Sequence, residues 1–381
     1  MAEPSTVLAG ARKVDADGVV DDAWVRFAGA VVESTGTGAP PPADEVVRLD
    51  GAWLAPGFVE LHVHGGGGHS AEDGADAIRG ALALHRAHGT TRSLVSLVSG
   101  PLDRLAAGLA AVAEVAAHEP AVLGAHLEGP FLAPSRHGAH DTRHLRPPDP
   151  AAVDRLLDAG RGVLRQITLA PELPGGLDAV RAFAAAGVTV AVGHTEADLD
   201  LTARAVDAGA SLLTHAFNAM PGLHHRAPGP VGAALEDPRV TLELVLDGRH
   251  VHPAAARVLF AAAPGRVALV TDAMAAAGAA DGGYRLGDQD VQVTAGVAVL
   301  AGTGTLAGST LTLDAALRTA VEVLGLDPAE AVAALTATPA RALGLDDRFG
   351  RLAPGMAADA VVLDRDWRVR AVWAGGRRVT G

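Results

Sequence analysis

Short apolar runs alternate with Ala/Leu-rich stretches along the middle of the chain. Eight runs stand out: 58–64, 91–99, 121–128, 163–170, 188–194, 211–217, 240–247 and 266–272. Their length and Val/Leu/Ile content predict buried strands. Between them, 75–88, 102–117, 151–159, 177–186 and 198–208 carry helical periodicity. Gly89, Gly160, Gly187 and Gly209 follow helical stretches, where chains commonly turn left-handed at a helix end. Strand–helix alternation predicts βαβ units and a parallel sheet. Eight units predict an α/β protein, a (β/α)8 TIM-like barrel over 54–345. An open doubly wound sheet is the alternative, but no dinucleotide fingerprint follows the first strand.

The two ends read differently. Val7-Leu8-Ala9, Trp24 to Phe27 and Ala30-Val31-Val32 are separated by turn residues at 15–18 and 36–42. Ala360 to Leu363 and Val369 to Trp373 repeat the pattern, with Gly375-Gly376 as a turn before 377–380. Residues 1–53 and 346–381 are therefore expected to form one small β-sandwich domain built from both termini.

Composition narrows the chemistry. The 381 residues carry 31 Lys+Arg against 44 Asp+Glu, a formal charge of −13, with no basic stripe. Nucleic acid is a poor partner for such a surface. The absence of cysteine removes disulfides, thiolate ligands and a Cys nucleophile. Lys13 is the single lysine, which removes a deep Schiff base, a P-loop lysine and a carboxylated lysine bridging two metals. The start, 1–14, lacks a basic, then apolar, leader, and no run of about 18 apolar residues exists. A cytoplasmic protein without a membrane partner is expected.

In a barrel, catalysis sits where the strands end. The first run ends in His62-Val63-His64, two imidazoles on one strand face. Later runs end in His126-Leu127-Glu128, Gly193-His194-Thr195, Thr214-His215 followed by Asn218-Ala219-Met220, Asp247-Gly248-Arg249-His250, and Thr271-Asp272-Ala273. A lone histidine at such a place is more often a satisfied core residue. A convergence of His, Glu and Asp is the ligand set of a catalytic divalent ion. Such an ion polarises a carbonyl and brings the pKa of a bound water to about 7. Asp272 is the natural group to take that water's proton and return it to a leaving group.

In this order, His-x-His, His-Leu-Glu-Gly-Pro-Phe, Gly-His-Thr, Thr-His-x-x-Asn-Ala-Met, Asp-Gly-x-His and Thr-Asp-Ala resemble the N-acetylglucosamine-6-phosphate deacetylases of the amidohydrolase superfamily. The resemblance covers nearly the whole chain. It includes 226–229 (Arg-Ala-Pro-Gly) and the tail from Gly350 to Asp364. It implies Glu128, His194 and His215 as ligands of the main metal, with Asp272 as general base and acid. It implies a substrate-touching role for His250, and sugar-phosphate contacts from Asn218, Ala219, Ala139, Leu306, Ala307 and Gly308. Arg226 resembles a phosphate-binding arginine that enters a neighbouring subunit's site, which implies a homodimer. His62 and His64 imply room for a second ion, giving one or two divalent metals per subunit. Zinc is the expected metal, with ferrous iron and manganese as alternatives. The implied reaction converts N-acetylglucosamine 6-phosphate to glucosamine 6-phosphate and acetate.

Other residues take plainer readings. His85 and His88, in a helical stretch, are expected to be solvated or half-buried. Gly65 to Gly68 reads as loop flexibility, Met220 and Trp53 as packing, and His118, His144 and His252 have no assigned role. His137 and His140 follow Glu128 in a loop, and 223–225 is rich in histidine. The rival functions are another amidohydrolase reaction (cyclic amidase, deaminase or N-acetylgalactosamine-6-phosphate deacetylase) and a non-catalytic sugar-phosphate sensor. A sensor has no need of Asp272.

Overall fold

The computed structural model describes residues 4–380. One of its two eight-stranded sheets runs in sequence order: Phe58–Glu60, Thr90–Val98, Val122–Glu128, Leu164–Leu169, Thr189–Val192, Ala210–Leu213, Thr241–Val245 and Val267–Val270, barrel strands one to eight. Each falls inside one of the apolar runs or within a residue of it. Strands one and eight meet at their carboxyl ends through a parallel bridge between Val63 and Ala273. There the Asp272 N–H donates to the His62 carbonyl and the His64 N–H to the Ala273 carbonyl, both at 2.8 Å. The seam of the barrel is thus stitched by candidate site residues.

The connecting helices follow the predicted pattern. Leu102–Ala116 buries Leu105, Leu109, Val112 and Val115, one apolar stripe at helical spacing. Asp149 and Asp198 cap the helices Pro150–Ala159 and Leu199–Asp207 by accepting from Ala152 N and Leu201 N. Gly89, Gly187 and Gly209 turn left-handed with φ of 95°, 77° and 119°. Gly160 does not (φ −89°), and the left-handed turn there is taken by Gly162. After strand eight comes an antiparallel meander, Gly282–Leu286, Gln289–Thr294 and Val297–Leu300, around Leu286, Val291, Val293, Ala298 and Leu300. The apolar pattern did not announce it.

Both chain ends enter one second sheet. Ser5–Asp15 pairs antiparallel with Gly18–Ala28, and that strand with Val31–Thr37. Trp53–Pro56 pairs antiparallel with Ala360–Leu363, followed by Val369–Ala374 and Arg377–Thr380. Leu8, Val25, Phe27, Leu54, Val362 and Trp373 share its core, so residues from both termini bury one another.

The chain divides into two compact units. One comprises residues up to 60, 85–92 and from 312 on; the other is Leu61–Leu84 with Ser93–Leu311. Residues 312–345, expected in the barrel segment, group with the terminal sheet. The short helices Leu313–Arg318, Pro328–Ala333 and Ala337–Ala342 lie there, and Pro328–Ala333 packs on Ser5–Asp15. An Ala-rich pattern predicts a helix but not the surface it covers. His85, expected to be at least half-solvated, is buried at 1% exposure. No helix among the described residues is long and apolar enough to cross a membrane.

In the first unit, Asp314 is buried where it accepts from His88 Nδ1 at 3.0 Å, Thr312 Oγ1 at 2.6 Å and Arg318 Nη1 at 2.9 Å. Burial pushes its pKa up, but these donors outweigh burial and bring it from 3.8 down to about 2. A carboxylate lowered on folding stabilises above its unfolded value and loses that contribution as pH falls through the folded one. Asp314→Asn is expected to cost about 2 kcal/mol at pH 7. Denaturant melts should show a constant deficit above about pH 4 that shrinks toward pH 2; a pH-independent deficit would refute the ionic origin.

Candidate metal centre and active site

The second unit holds a cavity of about 360 Å³ lined by His64, Glu128, Ala139, His140, His194, His215, Asn218, Ala219, His250, Asp272, Leu306 and Gly308. These come from the carboxyl ends of the barrel strands and the loops that follow. Several of the turns that aim them are left-handed. His194 (φ 48°), His215 (27°), Phe217 (79°), Ala219 (51°) and Asp272 (48°) all sit where side chains are disfavoured. Such backbone persists only where its surroundings over-determine it, and it gathers at functional sites. Gly308, with φ 62°, lies so close to the strand-eight turn that a Cβ would stand 2.9 Å from the Asp272 carbonyl oxygen.

At the floor, Glu128 Oε1 lies 3.1 Å from His194 Nε2 and 3.1 Å from His215 Nε2, and those nitrogens are 3.0 Å apart. The tautomer of His194 is fixed. Its Nδ1 meets the carbonyl of Arg136 at 2.8 Å, and a carbonyl only accepts, so Nδ1 carries the hydrogen. Burial lowers the His194 pKa from 6.5 to about 4, leaving the ring neutral near pH 7. Its Nε2 is then a lone pair aimed at a carboxylate oxygen. That contact is repulsive unless a cation stands between, so the donor set fits a divalent ion. His140 is the opposite case. The Ser99 N–H donates to its Nδ1 at 3.2 Å, so Nε2 carries the hydrogen and donates to Glu128 Oε2, also at 3.2 Å. His140 orients the carboxylate; in this tautomer it is not a ligand, although it lies within ligand distance of Glu128 and His194.

Beside this trio stands a second group, His62, His64 and Asp272. His62 Nε2 is 3.0 Å from His64 Nε2, and Asp272 Oδ1 is 3.5 Å from both. Glu128 Oε2 lies 3.2 Å from His64 Nε2, so one carboxylate touches both groups. Burial disfavours a charged His62, yet Glu128 and Asp272 overcome it and raise its pKa well above 6.5. This corner also demands positive charge, which a proton or a metal ion can supply.

His250 sits deeper than a loop residue usually does. Its Nδ1 donates to Asp247 Oδ2 at 2.7 Å, while Asp247 Oδ1 accepts the N–H groups of Arg249 and His250 at 2.8 Å. Burial alone would lower the His250 pKa; the hydrogen bond and charge of Asp247 raise it. With Nδ1 committed, Nε2 is the nitrogen left for a ligand.

The structure gathers most of the residues singled out from the sequence, with exceptions. His62 is fully buried behind the cavity wall and Ala307 is buried between two lining residues. Arg226 is exposed and does not line the cavity of its own chain. His126 is no part of the metal-facing set: it is held between Ser96 Oγ and Thr168 Oγ1, each at 2.9 Å. Sequence reasoning left His140 undecided and gave Asp247, Gln166 and Glu243 no role.

A sequence profile described as "Amidohydrolase family" matches residues 53–379. The N-acetylgalactosamine-6-phosphate deacetylase of Escherichia coli O157:H7 is 41% identical over 97% of this chain and 98% of its own length. The N-acetylglucosamine-6-phosphate deacetylase of Bos taurus is 37% identical over 88% of this chain and 86% of its own. Among solved structures, a variant N-acetyl-D-glucosamine-6-phosphate deacetylase of Mycobacterium smegmatis in complex with N-acetyl-D-glucosamine-6-phosphate is 43% identical. It superposes with a TM-score of 0.94 over 99% of this chain and 100% of that one. With its buried His/Glu/Asp centre at the strand ends and a profile match from residue 53 to residue 379, the chain belongs to the amidohydrolase family.

Proposed function

We propose that this protein is a metal-dependent deacetylase that hydrolyses N-acetyl-D-glucosamine 6-phosphate to D-glucosamine 6-phosphate and acetate. The observation that carries the reading is the His194 lone pair facing Glu128 at 3.1 Å, with Asp272 on the same cavity. The activity named for the relatives supplies the substrate class. Glu128, His194 and His215 would hold the main ion, and His62 and His64 a second; zinc suits these N and O donors, with ferrous iron and manganese as alternatives. When bound, a divalent ion supplies Lewis-acid polarisation of the amide carbonyl and a water activated near neutral pH.

The chain's own residues do the rest. Asp272 accepts a proton from the attacking water. It then delivers a proton to the nitrogen as the C–N bond breaks, so acetate and a free amine leave. His250, pinned by Asp247, turns Nε2 to the developing oxyanion. The loop of Asn218 and Ala219, held left-handed at Ala219, and the wall of Leu306 and Gly308 orient the sugar. The phosphate needs a cation. Among the described residues lining the cavity, Arg136 is the one arginine, and its Nε and Nη2 are engaged by Glu196 at 2.8 and 3.0 Å. Arg226, exposed outside its own cavity, would serve a second subunit in a homodimer.

A second reading is favoured by one finding: the relative 41% identical over nearly its full length is named for the galactosamine epimer. Acetate release should therefore be measured on both 6-phosphates and both free sugars. Release from the glucosamine epimer's 6-phosphate, and not from the free sugar, is expected; exclusive turnover of the other epimer would overturn the first reading.

Asp272→Asn is expected to lower kcat by about 10²–10⁴-fold while the ion held by Glu128, His194 and His215, counted by elemental analysis, stays bound. Turnover at the parent rate would remove Asp272 from its role. Chelation should abolish acetate release and added zinc should restore it. Arg226→Ala should raise KM for the phosphorylated sugar about tenfold or more, with kcat less affected, consistent with loss of a charge-assisted phosphate contact.

A further inference from the structure

The interior of a (β/α)8 barrel is ordinarily filled with branched apolar side chains. Here a carboxylate lies inside it. Glu243, on barrel strand seven, is fully buried, and so is Gln166 on strand four. The two are joined by Gln166 Nε2 donating to Glu243 Oε1 at 2.8 Å. A carboxylate only accepts, so this contact fixes which end of the amide faces it. The other oxygen, Glu243 Oε2, lies 3.3 Å from His62 Nδ1. Sequence separation is large, 181 residues from His62 to Glu243 and 77 from Gln166 to Glu243, so the barrel itself makes the arrangement.

A buried carboxylate is costly unless it is paired. Nothing in the chemistry assigned to Asp272, His250 or the Glu128 trio uses Glu243. Among the described residues its ionisable hydrogen-bond partner is His62, whose other nitrogen points to the opposite side, toward His64, Glu128 and Asp272. Because Glu243 can only accept, it takes the hydrogen of His62 Nδ1. A neutral His62 then has no hydrogen on Nε2 and presents a lone pair to the centre. A side chain that accepts the distal N–H of a ligand histidine fixes both tautomer and ring plane.

We propose that Glu243, held by Gln166, is a positioning residue for His62 that commits its Nε2 to metal binding and so governs how tightly the ion between His62 and His64 is held. The inference rests on the reading that this second group of side chains takes an ion. The Glu243 side chain does not line the cavity, and its hydrogen bonds run to His62 and Gln166 rather than to Glu128, His194 or His215. Its loss therefore weakens one ion and leaves the other. General damage to the barrel would weaken both.

The test is metal binding by the full-length protein, stripped with a chelator and titrated with Zn²⁺ and, for its visible spectrum, Co²⁺. The parent is expected to take two ions. Glu243→Leu, close in volume but without an acceptor, should keep the tighter ion and bind the other about 10–100-fold more weakly. Glu243→Gln should stay within about threefold of the parent, because its amide oxygen can accept from His62 while Gln166 turns its own oxygen to the new NH2 group. His62→Ala should reproduce the Glu243→Leu defect. If Glu243→Leu alone does not fold, the double variant Gln166→Met/Glu243→Leu removes the buried polar pair together and carries the same expectation. Unchanged affinity for the second ion in Glu243→Leu or the double variant, or equal weakening of both ions, would overturn the positioning role. A parent whose metal content is indifferent to His62→Ala would overturn the second-ion reading beneath it, a result distinct from the first two.

Discussion

A neutral imidazole nitrogen and a carboxylate oxygen face each other at 3.1 Å with no hydrogen between them. That pairing of His194 with Glu128 is the constraint on which the centre depends. Two like-signed lone pairs at that distance are stable only around positive charge, and the chain spends conformational freedom to keep them there. The Arg136 carbonyl locks one ring, the Ser99 amide locks His140 the other way, and His140 in turn holds Glu128. The left-handed turns at His194, His215 and Asp272 are part of the same arrangement. They bend each strand end inward as it leaves the sheet.

Below the centre, the barrel is not the apolar plug its fold would predict. Ser96, His126, Thr168 and Thr214 form one hydrogen-bonded chain through the interior, with Oγ and imidazole contacts of 2.8–2.9 Å. Ser96 also accepts the Val63 N–H, so this chain reaches the backbone between His62 and His64. Glu243 and Gln166 form a second such pair. Buried polar groups of this kind stabilise little over a good apolar core, but hydrogen-bonded networks fix one arrangement where oil would allow several. The stability of the unit then rests on the apolar layer between strands and helices, while the interior sets geometry.

The sequence carried a large part of this and hid a definable remainder. Eight apolar runs became eight strands because a parallel strand buried on both faces has no other way to read. His62, His64, Glu128, His194, His215 and Asp272 were legible because each lies at or near the end of a run. Glu243 was not, since a single acidic residue inside the run 240–247 looks the same whether it faces barrel interior or helix layer. The signal available was its position two before Val245 and four before Asp247, on the alternation that points toward the centre. The tautomers were out of reach for a different reason. They are set by Arg136, 58 residues from His194, and by Ser99, 41 from His140, and no local pattern encodes such meetings. The short helices after residue 312 show the same limit at larger scale: periodicity identified helices and left their docking open.

The terminal sheet has a consequence for how the molecule comes into being. Leu54 takes its hydrogen-bonded neighbour from Val362, and Trp53 from Leu363, a separation of roughly 300 residues. A ribosome releases the amino-terminal strands long before it makes their partners. Until residues 360–363 are made, Trp53–Pro56 therefore presents an open edge, and Leu8, Phe27 and Leu54 lack part of the core that covers them. The nascent chain must keep that surface from neighbouring chains while the barrel assembles, and strands made after the barrel are the ones that close it.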